Sequence, residues 1–173
     1  MNKKTLKITF CAVLAAFSVV FMYIGTVFPT GRMGFMAIAS LFSVAAMAQY
    51  GYGAALGVFA VSGVLGFLLV PDKMPLVFYA LFFGYYPIVK NMAECLKKPV
   101  LSWAVKLAVF NAALTAVYLL FKELLMLRFF EALSGAALTA AVYVVFNAVF
   151  IVYDIGLSRL IRFYMIRIHN RLK

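Results

Sequence analysis

Six long apolar runs, separated by short breaks rich in turn-forming residues, leave this chain few folds to choose from. The runs cover about 8–28, 33–50, 54–70, 75–93, 100–121 and 134–157. At about 1.5 Å per helical residue, each is near the length that crosses the roughly 30 Å core of a bilayer. The breaks read "PTGR" (29–32), "YGYG" (50–53), "VPDK" (70–73), "KNMAECLKKP" (90–99) and "FKELLMLRFFEAL" (121–133). They put Pro, Gly and charge where a chain turns. Hydrophobic residues make up 67% of the 173 and charged residues 12%. A soluble domain is about half apolar, so too little polar surface is present here to cover a water-facing globule. The expectation is an all-α polytopic membrane protein, a compact bundle of six transmembrane helices forming one domain over 1–173. Spans two and three are short, so they tilt little or thin the bilayer around them.

The opening "MNKKTLKITF" resembles the charged region of a secretory signal. The apolar run behind it continues to about Phe28, beyond the roughly 7–15 residues of a signal core, and no small-x-small cleavage site follows. It reads as a retained first span.

Direction follows from the cations. One side of the alternating path holds eleven of the sixteen Lys and Arg: Lys3, Lys4, Lys7, Lys90, Lys97, Lys98, Arg159, Arg162, Arg167, Arg171 and Lys173. The other holds four: Arg32, Lys73, Lys122 and Arg128. Lys106 falls inside span five. Loops rich in Lys and Arg stay cytoplasmic, so both termini and the 90–99 loop are expected inside. An even number of spans requires the same agreement between the two ends. The tail 158–173 interleaves arginines with Leu160, Ile161, Phe163, Ile166 and Ile168. That pattern suits a helix leaving the bilayer and lying along an anionic inner leaflet, as a topology anchor or as a site for a specific partner.

Several function classes drop out. The net charge of +11 sits beside apolar spans, which points to anionic lipid at the cytoplasmic face and not to nucleic acid. Cys11 and Cys95 match no metal spacing and no disulfide framework. No G-x-x-x-x-G-K-[ST] loop is present, so the chain does not itself hydrolyse ATP in that way. One histidine, His169, lies in the tail, which leaves no Ser-His-Asp arrangement within the spans. The reading is of a chain without catalytic residues, metal or cofactor. Of the five acidic residues, Asp72, Glu123 and Glu131 fall in outer loops and Glu94 in an inner one; only Asp154 falls within a span. Autonomous ion pumping, which needs carboxylates near the midplane, is therefore disfavoured.

The polar groups inside the spans each carry a structural and a functional reading. Lys106 can snorkel to the cytoplasmic surface and Asp154 can meet Arg159 or water; the sharper alternative pairs the two between spans five and six. Asn111 and Asn147, in the middles of those spans, should face the bundle interior, to tie helices together or to contact a ligand. Tyr79, Phe83 and Tyr86 share one face of span four, for packing or for a ligand. Gly53–Gly57 and Ser62–Gly66 are small-x-x-x-small pairs that let helix backbones approach. Ala12 and Ala16, in "AVLAA", form another on span one, whose bland role is to seat a helix of the same chain, span three being available.

Six short spans, both ends inside and this alanine pair together resemble the substrate-binding S components of energy-coupling factor (ECF) transporters. The likeness covers the whole chain in layout and one short motif, A-x-x-x-A, in sequence. It implies that Ala12 and Ala16 pack on a separate transmembrane coupling subunit, with the ABC ATPases as further chains. It implies a small vitamin-like substrate captured from outside a bacterial plasma membrane, in a pocket built from the outer halves of the spans. Arg32 would then meet an anionic or carbonyl group of the substrate, unless it is simply an interfacial anchor. Tyr79, Tyr118 and Asn147 would supply stacking and hydrogen bonds. The alternative from another class is a non-transporting membrane scaffold of cell-envelope or division machinery, whose spans would pack with no outward cavity.

Overall fold

The computed structural model describes residues 2–96, 98–125 and 136–167, all but a few of them in helices. The expectations for Lys97, Arg128, Glu131, Ile168, His169, Arg171 and Lys173 lie outside the described residues, as do those for the side chains of Lys122, Glu123, Phe163, Ile166 and Arg167. Helix α1 (Lys3–Val27) starts where the Asn2 side chain accepts a hydrogen bond from Lys4 N–H, and so satisfies one of the free amides of the first turn. It stops before Pro29, whose ring disfavours helical backbone at Phe28. A single 3₁₀ turn (Pro29–Gly31) leads into α2 (Arg32–Tyr50). One residue, Gly51, then reverses the chain into α3 (Tyr52–Leu69). Its φ of +80° is backbone that side chains rarely adopt, so this one-residue turn needs glycine.

Helices α1, α2 and α3 form one packed group. The buried face of α1 carries Leu14, Ala15, Ser18, Val19 and Met22, at the spacing of one helical stripe. It meets Met36, Ala39, Ala45 and Ala46 of α2 and Ala54 and Val58 of α3. Small side chains let these backbones come close, and Ser18 Oγ lies 3.1 Å from Leu14 O and 3.0 Å from Ala39 O, which ties α1 to α2. Of the two small-residue pairs on α3, Ser62–Gly66 packs inside. A Cβ on Gly66 would sit 2.7 Å from Leu76 Cδ2 and 2.9 Å from Met22 Sδ. Gly53 and Gly57 have nothing within 4 Å of that position, so among the described residues they bring no helices together.

The fourth span is not one helix. Asp72 caps a short α4 (Lys73–Phe78) by accepting from Met74 N–H at 3.1 Å. A π-helical segment (Tyr79–Phe83) follows, and α5 (Tyr86–Glu94) begins afresh. Pro87 explains the restart: it has no N–H to give the carbonyl four residues back, and its ring clashes there. Gly84 lies at the break, pressed against the Phe59 ring, with no room for a Cβ.

Helix α6 (Pro99–Leu125) and helix α7 (Ala136–Arg167) complete the bundle. Five helices among the described residues are long and apolar enough to cross a membrane, which is consistent with a multi-pass membrane protein; the broken fourth span is not among them. Helix α7 has 32 residues, about 48 Å at 1.5 Å each, more than a bilayer core requires. From Ser158 to Arg167 the tail continues α7 without a break.

Candidate functional site

Among the described residues, buried charges gather where α5, α6 and α7 meet. Tyr86, Lys90 and Glu94 stand at i, i+4 and i+8, which aligns them along one face of α5. Lys106 comes from the second turn of α6, and Asp154 from α7. Lys90 Nζ lies 2.5 Å from Asp154 Oδ1 and 2.8 Å from Glu94 Oε1. Lys106 Nζ lies 3.1 Å from Asp154 Oδ2 and 2.8 Å from the same Glu94 oxygen. Two ammoniums and two carboxylates thus close a ring whose formal charges cancel. Tyr86 donates its hydroxyl proton to Asp154 Oδ1 at 2.5 Å, and Lys90 also reaches the Asp154 carbonyl at 3.2 Å. Lys90, Lys106 and Asp154 are 0%, 4% and 2% exposed, so each would be costly without its partners.

Aromatic rings wall the network off from the rest of the bundle. Phe110 and Phe150 stack with centroids 4.4 Å apart, and Phe82 and Tyr86 lie 4.7 Å apart. The Trp103 ring centroid is 5.2 Å from Lys106 Nζ, a cation–π distance. On the remaining side the packing is open. A cavity of about 570 Å³ is bordered by Glu94, Ser102, Trp103, Lys106, Asp154, Ser158, Arg159 and Arg162. A second, of about 320 Å³, shares Glu94, Ser158 and Arg162 and extends to Asn91 and Ile161.

This polar end is also the end at which α1 begins and α2 turns into α3. Lys7 Nζ stands 6.0 Å from the Tyr50 ring centroid, and Tyr52 donates to Asn91 Oδ1 at 2.7 Å. The polar cavities therefore lie at the opposite end from Arg32.

Two sequence expectations change here. Lys106 does not snorkel and Asp154 does not meet Arg159; Lys106 and Asp154 meet each other at 3.1 Å, the pairing between spans five and six that the sequence offered as the alternative. Arg159 lies five residues on, about 140° around the helix, and Asp154 is taken instead by Lys90, Lys106 and Tyr86. Lys90 and Glu94, expected as inner-loop charges, are helical, and Lys90 is fully buried. Removing Lys90 from the loop count leaves ten cations against four, so the bias survives. The i, i+4, i+8 spacing of Tyr86, Lys90 and Glu94 was the signal that could have placed them on one helix face.

The four residues expected to bind substrate have separate surroundings. Arg32 pairs with Asp72 at 2.8 Å, with both side chains partly exposed. Tyr79 is buried, its hydroxyl 2.9 Å from Ser62 Oγ; it borders an apolar cavity of about 280 Å³ with Phe59, Val64 and Leu76. Tyr118 is half-buried on α6. Asn147 exchanges two hydrogen bonds with Asn111, at 3.0 and 3.1 Å, and Thr115 meets Tyr143 at 2.9 Å beside them. Arg32, Tyr118 and Asn147 do not border the Tyr79 cavity.

Ala12 and Ala16 are exposed, on the side of α1 away from Leu14, Ala15 and Ser18. Val13, Phe17 and Val20 beside them are about half exposed. Span three packs against the other face of α1. No family model, curated protein or solved structure matches the chain.

Proposed function

We propose that this chain is the substrate-binding subunit of an ECF-type importer, itself non-catalytic. It would work in a bacterial plasma membrane with a separate transmembrane coupling subunit and ABC ATPases, and carry a small vitamin-like molecule inward. The observation that carries the reading is the outward alanine face. Small residues in an apolar helix matter where another backbone must come close, since lipid accepts larger side chains as readily. Among the described residues no helix lies on Ala12 and Ala16, which leaves the face free for a helix of another subunit.

The test is Ala12→Leu together with Ala16→Leu. Tagged wild-type protein, purified gently from its host, should bring down a membrane subunit and ATPases carrying the G-x-x-x-x-G-K-[ST] loop. The double variant should lose them while keeping its own thermal unfolding midpoint. A wild-type protein that brings down no such ATPase sinks the reading, and so does a double variant that keeps them.

One observation favours the scaffold alternative. Arg32 already has Asp72, and Asn147 already has Asn111, so two of the polar groups expected to meet a substrate are satisfied within the chain. Mass spectrometry of small molecules that co-purify with the protein separates the two readings: an importer subunit retains a ligand and a scaffold does not.

A further inference from the structure

We infer that the 570 Å³ cavity between α5, α6 and α7 is a binding site for the phosphate of an anionic membrane lipid. The inference is independent of the importer reading. Its first support is charge. Glu94 and Asp154 are each matched by Lys90 and Lys106. Arg159 and Arg162, three residues apart on α7 and both bordering the cavity, have no ion-pair partner among the described residues. The cavity thus carries two uncompensated positive charges on exposed side chains at its rim, where they can attract an anion.

The second support is the choice of donors. Guanidinium groups offer paired N–H donors that match phosphate oxygens, and Lys106 lies at the floor behind them. Ser102, 7% exposed, borders the same space, and its hydroxyl makes no hydrogen bond among the described residues. The third support points to a lipid and not to a soluble phosphate. Ile155 borders the cavity and begins an exposed apolar stripe on α7 that continues through Val152, Val149 and Val145. A phosphodiester seated between the arginines would have acyl chains to lay along that stripe, with the Trp103 ring at headgroup level. A soluble phosphate would use none of it.

Purified protein in phosphatidylcholine nanodiscs is titrated with phosphatidylglycerol, and bound lipid is counted by native mass spectrometry. Arg159→Gln with Arg162→Gln should weaken phosphatidylglycerol binding at least about tenfold, roughly 1.4 kcal/mol. Lys3→Gln with Lys4→Gln removes the same charge from exposed positions on α1 and should leave binding within about twofold. Wild-type binding in the arginine variant overturns the site, and so does an equal loss in the lysine variant. Glycerol 3-phosphate is titrated in parallel onto lipid-free protein in neutral detergent. Tight, arginine-dependent binding there would make the ligand a soluble phosphate and overturn the lipid assignment; no binding supports it.

Discussion

Lys90 on α5 and Asp154 on α7 are 64 residues apart in sequence, yet their charged atoms lie 2.5 Å apart with both side chains buried. That pair is half of a neutral ring, and neutrality is what permits it. Replacing Asp154 by Asn leaves two buried ammoniums facing one carboxylate. The expected loss is about 3–5 kcal/mol, the usual result of breaking a buried pair from one side. Thermal unfolding of purified protein in mild detergent measures it. Asp154→Asn with Lys106→Met restores the balance of charge and should recover much of the lost stability. A double variant no more stable than Asp154→Asn alone would show that charge balance is not what the ring provides.

The Asn111–Asn147 pair behaves differently because it is uncharged. Asn147→Leu leaves the Asn111 amide without its cross-helix partner and should cost about 1–2 kcal/mol. Asn111→Leu with Asn147→Leu removes both needs at once and should come close to wild type. The same unfolding assay reads both. A double variant that loses the sum of the single losses would mean that the amides serve packing and not each other.

Topology is open to a chemical test that the native chain nearly supplies. Cys95 is exposed at the turn after α5. With Cys11 replaced by Ser, a membrane-impermeant thiol reagent on intact cells should leave Cys95 unlabelled until the cells are opened. Thr30→Cys, in the turn between α1 and α2, should be labelled from outside. Labelling of Cys95 in sealed cells would invert the orientation argued from the cations.

Arg32→Ala separates structure from recognition. The Arg32–Asp72 pair is partly exposed, so its loss should change stability by no more than about 1 kcal/mol. If Arg32 contacts a substrate, affinity falls at least about tenfold with folding intact. An unchanged affinity removes Arg32 from the site.

The helical spans were legible because length, apolar content and turn residues are local properties. The Asn111–Asn147 contact was half legible too: an amide in hydrocarbon needs a partner, and the middles of adjacent spans are where it finds one. Of the charge ring only the Lys106–Asp154 edge was legible, as one of two readings. Snorkelling is the ordinary fate of one lysine near a span end, so Lys106 taken alone pointed outward. What holds it inside is the coincidence of Lys90, Glu94 and Asp154 on two other helices, and that depends on how the helices rotate against each other. The break in the fourth span was hidden for a related reason. Pro87 marks it, but a proline near the middle of an apolar run is compatible with a kinked continuous helix, and the π turn with the Phe59 ring against Gly84 is a tertiary fact.

The ring also has a history during synthesis. Lys90, Lys106 and Asp154 are the single Lys, Arg, Asp or Glu residues inside spans four, five and six, while spans one to three have none. Synthesis runs from the N-terminus, so both lysines enter the chain before Asp154 does. A lone lysine at a helix centre costs about 2.5–3.5 kcal/mol to insert, less toward the ends. Glu94 is the one carboxylate of the ring available to either lysine until then. Until α7 is in place, the ring therefore holds two lysines against one carboxylate, and the arrival of Asp154 completes it. A chain ending before Asp154 would keep both lysines and lack the charge that closes the ring.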